Sequence, residues 1–141
     1  MLNISEISPL LQGFCQKEPH IAALYLFGSY NDGSAGQNSD LDLAVLFKED
    51  VDLRAEMALQ VQLSAVVGFE AIDLLNLNKA PLFMQFKALA GGRLIYEADP
   101  DLTSDFLEDI LLRYHDQEYR YRMFFRDWDE GLKEDYQIGK P

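Results

Sequence analysis

Gly28-Ser29-Tyr30-Asn31-Asp32-Gly33-Ser34-Ala35-Gly36-Gln37-Asn38-Ser39-Asp40-Leu41-Asp42 is the stretch that decides how this chain folds. It lies between two apolar runs, Ile21 to Phe27 and Leu41 to Phe47. Their length and their β-branched and aromatic members predict buried strands. The Gly-, Ser- and Asn-rich segment 28–39 predicts a loop, with room for one helical turn. Alternate residues of a strand share a face, so Asp40 and Asp42 are expected side by side, about 7 Å apart along the backbone.

Two carboxylates at the start of an apolar strand repel each other, and burial of either raises its pKa. Folding alone gives no reason to place them there. Divalent cations remove the conflict. Two Mg²⁺ ions bridged by such a pair would align the attacking and leaving oxygens across a phosphorus atom. Magnesium is content with a few carboxylates plus phosphate oxygens and water, so no His/Cys cluster is required. Gly28 lets the backbone approach a phosphate closely. The Ser29 hydroxyl and free N–H groups of the following turn supply donors. Gly-Ser alone carries no signal; strand, Gly-Ser, ten residues, Asp-x-Asp and strand together do.

A third carboxylate follows. Asp73 sits in Phe69 to Leu77, an apolar run that predicts a third buried strand. A buried, unpaired Asp is costly, so pairing or metal binding is expected of it. Beside the Asp40–Asp42 strand it would complete the metal site and accept a proton from an incoming hydroxyl. Glu70 is an odd number of residues away and is expected on the other face.

Around this centre the pattern alternates helices and strands. Asn3 to Lys17 has helical spacing, an Asn3/Glu6 capping box and an interior Pro9 expected to delay or bend the helix. Asp52 to Val67 predicts a helix ended by Gly68, with Leu53, Met57, Leu59, Val61, Leu63 and Val66 as its apolar members. Pro81 to Leu89 predicts a short helix closed by Gly91-Gly92, and Arg93 to Glu97 a short strand. Leu102 to about Leu132 is a long helical tract with Phe106, Ile110 and Phe124 expected inward. Its Tyr/Arg set, with Trp128, is of the types enriched at protein interfaces. Asp135 to Pro141 is expected to fray. No linker divides residues 1–141, so one domain is expected, with a core at about 20–100.

Twelve basic against 24 acidic residues leave a net charge of −12. That argues against nucleic acid as a partner, which requires a cationic footprint. No apolar run reaches membrane-spanning length and no secretory leader is visible, so the cytoplasm is the expected location. The lone Cys15 excludes an internal disulfide and is expected buried in the first helix. His20 and His115 are isolated in the sequence.

Gly28-Ser29, Asp40-Leu41-Asp42 and Asp73, with Gly92-Arg93-Leu94-Ile95-Tyr96-Glu97, resemble the minimal nucleotidyltransferases of the DNA polymerase β superfamily. Size and element order look like the MntA-type antitoxins, encoded beside HEPN-domain RNase toxins. The resemblance implies an α/β (α+β) fold: a mixed central β-sheet flanked by helices, with a C-terminal helical tract. It implies two Mg²⁺ ions, ATP as donor and AMP transfer onto a tyrosine of a HEPN-domain toxin, as in a type VII toxin–antitoxin pair. By position, Asp40, Asp42 and Asp73 would bind metal, and Gly28 and Ser29 the triphosphate. The other readings are an antitoxin that neutralises by binding alone, or a small-molecule (aminoglycoside-type) nucleotidyltransferase. One departure stands out. Family loops often read Gly-Ser-x-Ala-Arg-Gly, whereas this chain has Tyr30-Asn31-Asp32-Gly33, gaining an acid and losing a base. Lys48, Lys79 or Lys87 could compensate.

Overall fold

The computed structural model describes residues 2–138, with side chains described as far as Asp127. The elements run α1 (Ile4–Gln16), β1 (Ile21–Phe27), α2 (Ser29–Asp32), β2 (Leu41–Phe47), α3 (Leu53–Val67), β3 (Ile72–Asn76), α4 (Leu82–Gly91), β4 (Arg93–Glu97) and α5 (Pro100–Ile138). The four strands form one mixed sheet in the order β3-β2-β1-β4. β1 is antiparallel to both β2 and β4, while β2 and β3 are parallel.

β1 is buried along its whole length because both faces of the sheet are covered. Leu24, Leu26, Leu41, Leu43, Val45 and Phe47 pack on one face with Ile7, Leu11 and Cys15 of α1 and Leu59 and Leu63 of α3. Tyr25, Phe27, Ala44 and Leu46 pack on the other with Ala88 and Leu89 of α4 and Ile110 of α5. The odd residues of β2 thus face α1 and α3, and the even ones face α4 and α5, as the two-residue period of a strand requires. Cys15 is buried as expected. Burial, and then the charge of Glu18, push its thiol up to about 12.

Several elements depart from the sequence reading. Pro9 lies within α1, yet the helix starts at once after Asn3, whose side chain accepts from the Ser5 N–H (3.0 Å). Ser5, not the third helical residue Glu6, is therefore the donor to that cap. β3 begins at Ile72, not Phe69, and stands at the sheet edge. Asp73 is accordingly exposed, not buried. On α3 only Leu59 and Leu63 are buried, while Leu53, Met57 and Val61 face outward. α4 extends to Gly91, because Gly92 is the residue that turns extended. Phe124 is 60% exposed, not inward, since among the described side chains the last buried one on α5 is that of Ile110. α5 continues to Ile138 through most of the tail expected to fray. Residues 139–141 and the side chain of Trp128 lie outside the described residues.

Candidate active site

Gly28 closes β1 with φ +74° and ψ −157°, a conformation open in practice only to glycine. A Cβ built on it would stand 2.0 Å from Asp42 Oδ2. The backbone at the end of β1 is therefore packed directly against the carboxylate of β2. Phe27 and Asp42 are register partners, which fixes this approach.

Gly28 also opens α2. Its carbonyl accepts from the Asn31 and Asp32 N–H groups (3.0 and 3.1 Å). The Ser29 and Tyr30 N–H groups occupy the first turn, where a helix offers donors without intrahelical partners. Two side chains hold this turn in place. Tyr30 packs against the α1/α3 layer, edge-on to Phe69 at 6.5 Å. Asn31 donates through its side-chain amide to the Gly91 carbonyl (2.6 Å), tying α2 to the end of α4.

The parallel pairing of β2 and β3 sets Asp42 beside Asp73. They are one strand spacing apart, about 4.8 Å. Both project toward the α4/α5 face, as their alternate neighbours Ala44 and Leu75 do. Asp40 is exposed, just ahead of β2. Asp42 is half-buried, and its pKa is raised by that burial first, then by the charges of Asp73 and Asp40; Lys87 acts in the opposite direction. The sequence-predicted carboxylates are thus brought into mutual electrostatic range through Asp42. Among the described residues, however, no three acidic, His or Cys side chains form a ready-made metal cage. Such a half-built set of oxygen donors fits magnesium, which takes its other positions from water and phosphate. Glu70 precedes β3 and is exposed, outside this arrangement.

Asp32, the acid that replaces a base, has a local task. Its carboxylate accepts from the Ser34 hydroxyl (2.5 Å) and N–H (2.9 Å), and these bonds lower its pKa. It closes the turn after α2 as an Asx turn. Sequence reasoning missed Asn31 as the clamp to α4. Its signal was faint: one Asn among the polar residues of a loop. His20, read as isolated, pairs through its ring with the Glu49 carboxylate at the opposite end of the strands.

A glycine-opened turn at the end of one strand, with carboxylates on the two strands beyond it, is the architecture of a nucleotidyltransferase. The model of the family "Polymerase beta, Nucleotidyltransferase" matches residues 10–101, and the chain belongs to that family. It is similar to the protein adenylyltransferase MntA of Shewanella oneidensis, with 29% identity over 119 residues, covering 84% of this chain and 83% of that one. The protein adenylyltransferase MntA of Aphanizomenon flos-aquae is 27% identical over 123 residues, covering 77% and 79%. A crystal structure of a toxin–antitoxin with AMP-PNP contains a chain of similar fold. Its TM-score is 0.69 at 26% identity, covering 89% of this chain and 98% of that one. A tri-AMPylated Shewanella oneidensis HEPN toxin in complex with MNT antitoxin shares the fold, with a TM-score of 0.62 at 23% identity, covering 87% and 92%.

Proposed function

We propose that this chain is a Mg²⁺-dependent protein adenylyltransferase that acts as an antitoxin. It transfers AMP from ATP to a tyrosine hydroxyl of a HEPN-domain toxin. The observation that carries the reading is the Gly28–Asp42–Asp73 arrangement: a glycine-opened turn abutting one carboxylate, with a second in register beside it. The names of the relatives and the AMP-PNP bound in a similar toxin–antitoxin support ATP as donor and a toxin as acceptor.

In this reading Gly28 gives the triphosphate room to approach the backbone. The Ser29 hydroxyl and the first N–H groups of α2 donate to phosphate oxygens. Asp40 and Asp42 would hold the metal ions, with Asp73 completing the set. Bound Mg²⁺ would neutralise charge on the phosphates and on the departing pyrophosphate. The tyrosine oxygen forms a bond to the α-phosphorus as the bond to the β-phosphate oxygen breaks. Asp73, exposed at the sheet edge, takes the tyrosine proton. Positioning and charge neutralisation supply most of the acceleration. The partner is met outside this site, where the exposed Tyr119, Tyr121, Phe124 and Phe125 of α5 offer interface-type side chains. Residues 1–141 act as one domain in the cytoplasm. No helix among the described residues is long and apolar enough to cross a membrane.

The test is AMP transfer to the toxin, followed by mass spectrometry, comparing wild type with the Asp40→Asn/Asp42→Asn double variant. The variant should fold and bind toxin but add no AMP. Continued transfer by it would remove the proposal. A second reading, neutralisation by binding alone, is favoured by the absence of any Lys or Arg from residues 28–40. It requires the double variant to protect cells from the toxin as well as wild type does.

A further inference from the structure

The nucleotide loop supplies backbone donors and a hydroxyl but no cation, and three aspartates stand around it. A polyanionic triphosphate must meet positive charge somewhere else in this fold. Lys48 and Lys79 are excluded by position. The Lys48 N–H donates to the His20 carbonyl (2.9 Å), and Lys79 follows the Asn78 that hydrogen-bonds Phe47. Both stand at the Phe47 end of β2, about 17 Å of strand away from Asp42. Arg93 is at the correct end but pairs with Leu26, whose side chain lies in the α1/α3 layer, so it emerges on the wrong face. On α5, Arg113, Arg120 and Arg122 pair with Asp109, Asp116 and Glu118. That helix passes α4 toward its N-terminus, with Tyr114 stacked on Phe86 and Tyr121 in a groove with Phe83.

α4 runs the other way, toward the site. Near its start the Gln85 side chain donates to the Leu77 carbonyl (2.7 Å), beyond β3. At its end Gly91 accepts from Asn31 of the nucleotide loop (2.6 Å). A Cβ on Gly92 would stand 2.0 Å from the Ala88 carbonyl oxygen and 3.1 Å from that of Leu26, so only glycine allows α4 to end so tightly against β1. Lys87 is four residues before Gly91 and therefore on the same side of the helix, one turn back. It is exposed, and among the described residues it is the cation whose charge acts on Asp42.

We propose that Lys87 binds the phosphates of the donor nucleotide, supplying from α4 the positive charge that the loop does not. A lysine suits this role as a flexible point charge on a long stem. The proposal rests on the nucleotidyltransferase reading of the site and adds a ligand from a different element.

The test is calorimetric binding of AMP-PNP with Mg²⁺ to the full chain, without toxin, for wild type, Lys87→Met and Lys87→Arg. Lys87→Met should weaken binding roughly 10- to 100-fold, the loss expected for a charged hydrogen-bonding partner. Lys87→Arg should recover most of it. In AMP transfer, KM for ATP should rise in Lys87→Met more than kcat falls. Wild-type affinity in Lys87→Met would overturn the proposal and leave the nucleotidyltransferase reading intact. So would a change in nucleotide-free melting temperature with no change in AMP-PNP affinity, because Lys87 would then only offset carboxylate repulsion. Failure of wild type itself to bind AMP-PNP would overturn both.

Discussion

Gly28 and Asp42 approach each other in a way that admits no other residue at position 28: any Cβ there would overlap the Asp42 carboxylate, 2.0 Å from Oδ2. The same glycine holds φ at +74° with an extended ψ, so shape and backbone conformation demand it twice.

Gly28→Ala should therefore be severe. The backbone strain costs about 1–3 kcal/mol. Relief of the clash must also move Asp42 or the start of α2. A displacement of about 1 Å in a positioned group can cost roughly 100-fold in rate. Thermal melting and AMP-transfer assays on the same preparation should record both losses.

The carboxylate cluster sets a trade between stability and chemistry. Burial and the charges of Asp73 and Asp40 raise the pKa of Asp42 in the fold. A carboxyl raised on folding holds its proton longer in the native state. Stability therefore falls as pH climbs from the ordinary carboxylate value through the raised one, and the full penalty stands at neutral pH. Asp42→Asn should raise the melting temperature of the metal-free protein while abolishing AMP transfer. Added Mg²⁺ should stabilise wild type and leave the variant nearly unchanged. Differential scanning calorimetry with and without Mg²⁺ checks both.

Alkaline stability should fall early. Burial, the larger cause in each case, pushes Cys15 up to about 12 from 9.0 and Tyr25 up to about 12 from 10.0; Glu18 and Glu97 add to it. Unfolding frees both groups to ionise, so it releases protons between about pH 9 and pH 12, and stability drops as pH rises through that window. Denaturant melts from pH 8 to 11 should show the decline, and Tyr25→Phe should reduce its slope. Below pH 9 the Cys15 thiol should resist alkylation until the fold opens.

A core residue and a surface residue of α5 should respond differently. Ile110 is fully buried between α5 and the sheet, and Ile110→Ala should cost about 2–5 kcal/mol. Phe124→Ala, at an exposed position, should change stability by less than about 0.5 kcal/mol. If α5 carries the partner surface, Phe124→Ala will instead weaken toxin binding. Titration calorimetry against toxin separates the two.

The strands, the turn at Gly28 and the buried thiol were legible because each rests on local chemistry: apolar runs, a glycine-serine break, a Cys on a helix face. Asp73 was singled out through its apolar neighbours, but the burial expected of it is absent. It is not a buried charge in need of a partner. It is an edge residue that pairing alone aligns with Asp42. Strand order is non-local, so no spacing within Phe69 to Leu77 could reveal it. The same holds for Phe124. Helical periodicity gives its face but not the point at which the sheet beneath the helix stops. Of the three candidate lysines, only the packing of α4 against β1 and α2 separates Lys87 from the others.

β3 has a further consequence as the last strand. Among the described residues no strand lies beyond it, so the side of Asp73 away from β2 has no sheet to wall it. An enzyme with an enclosed acceptor pocket selects its substrate by the pocket's shape. If the acceptor is a protein, as proposed above, it must furnish that wall from its own surface. Selectivity would then reside in how the two proteins grip each other at a distance, and not in the shape of a pocket around the hydroxyl.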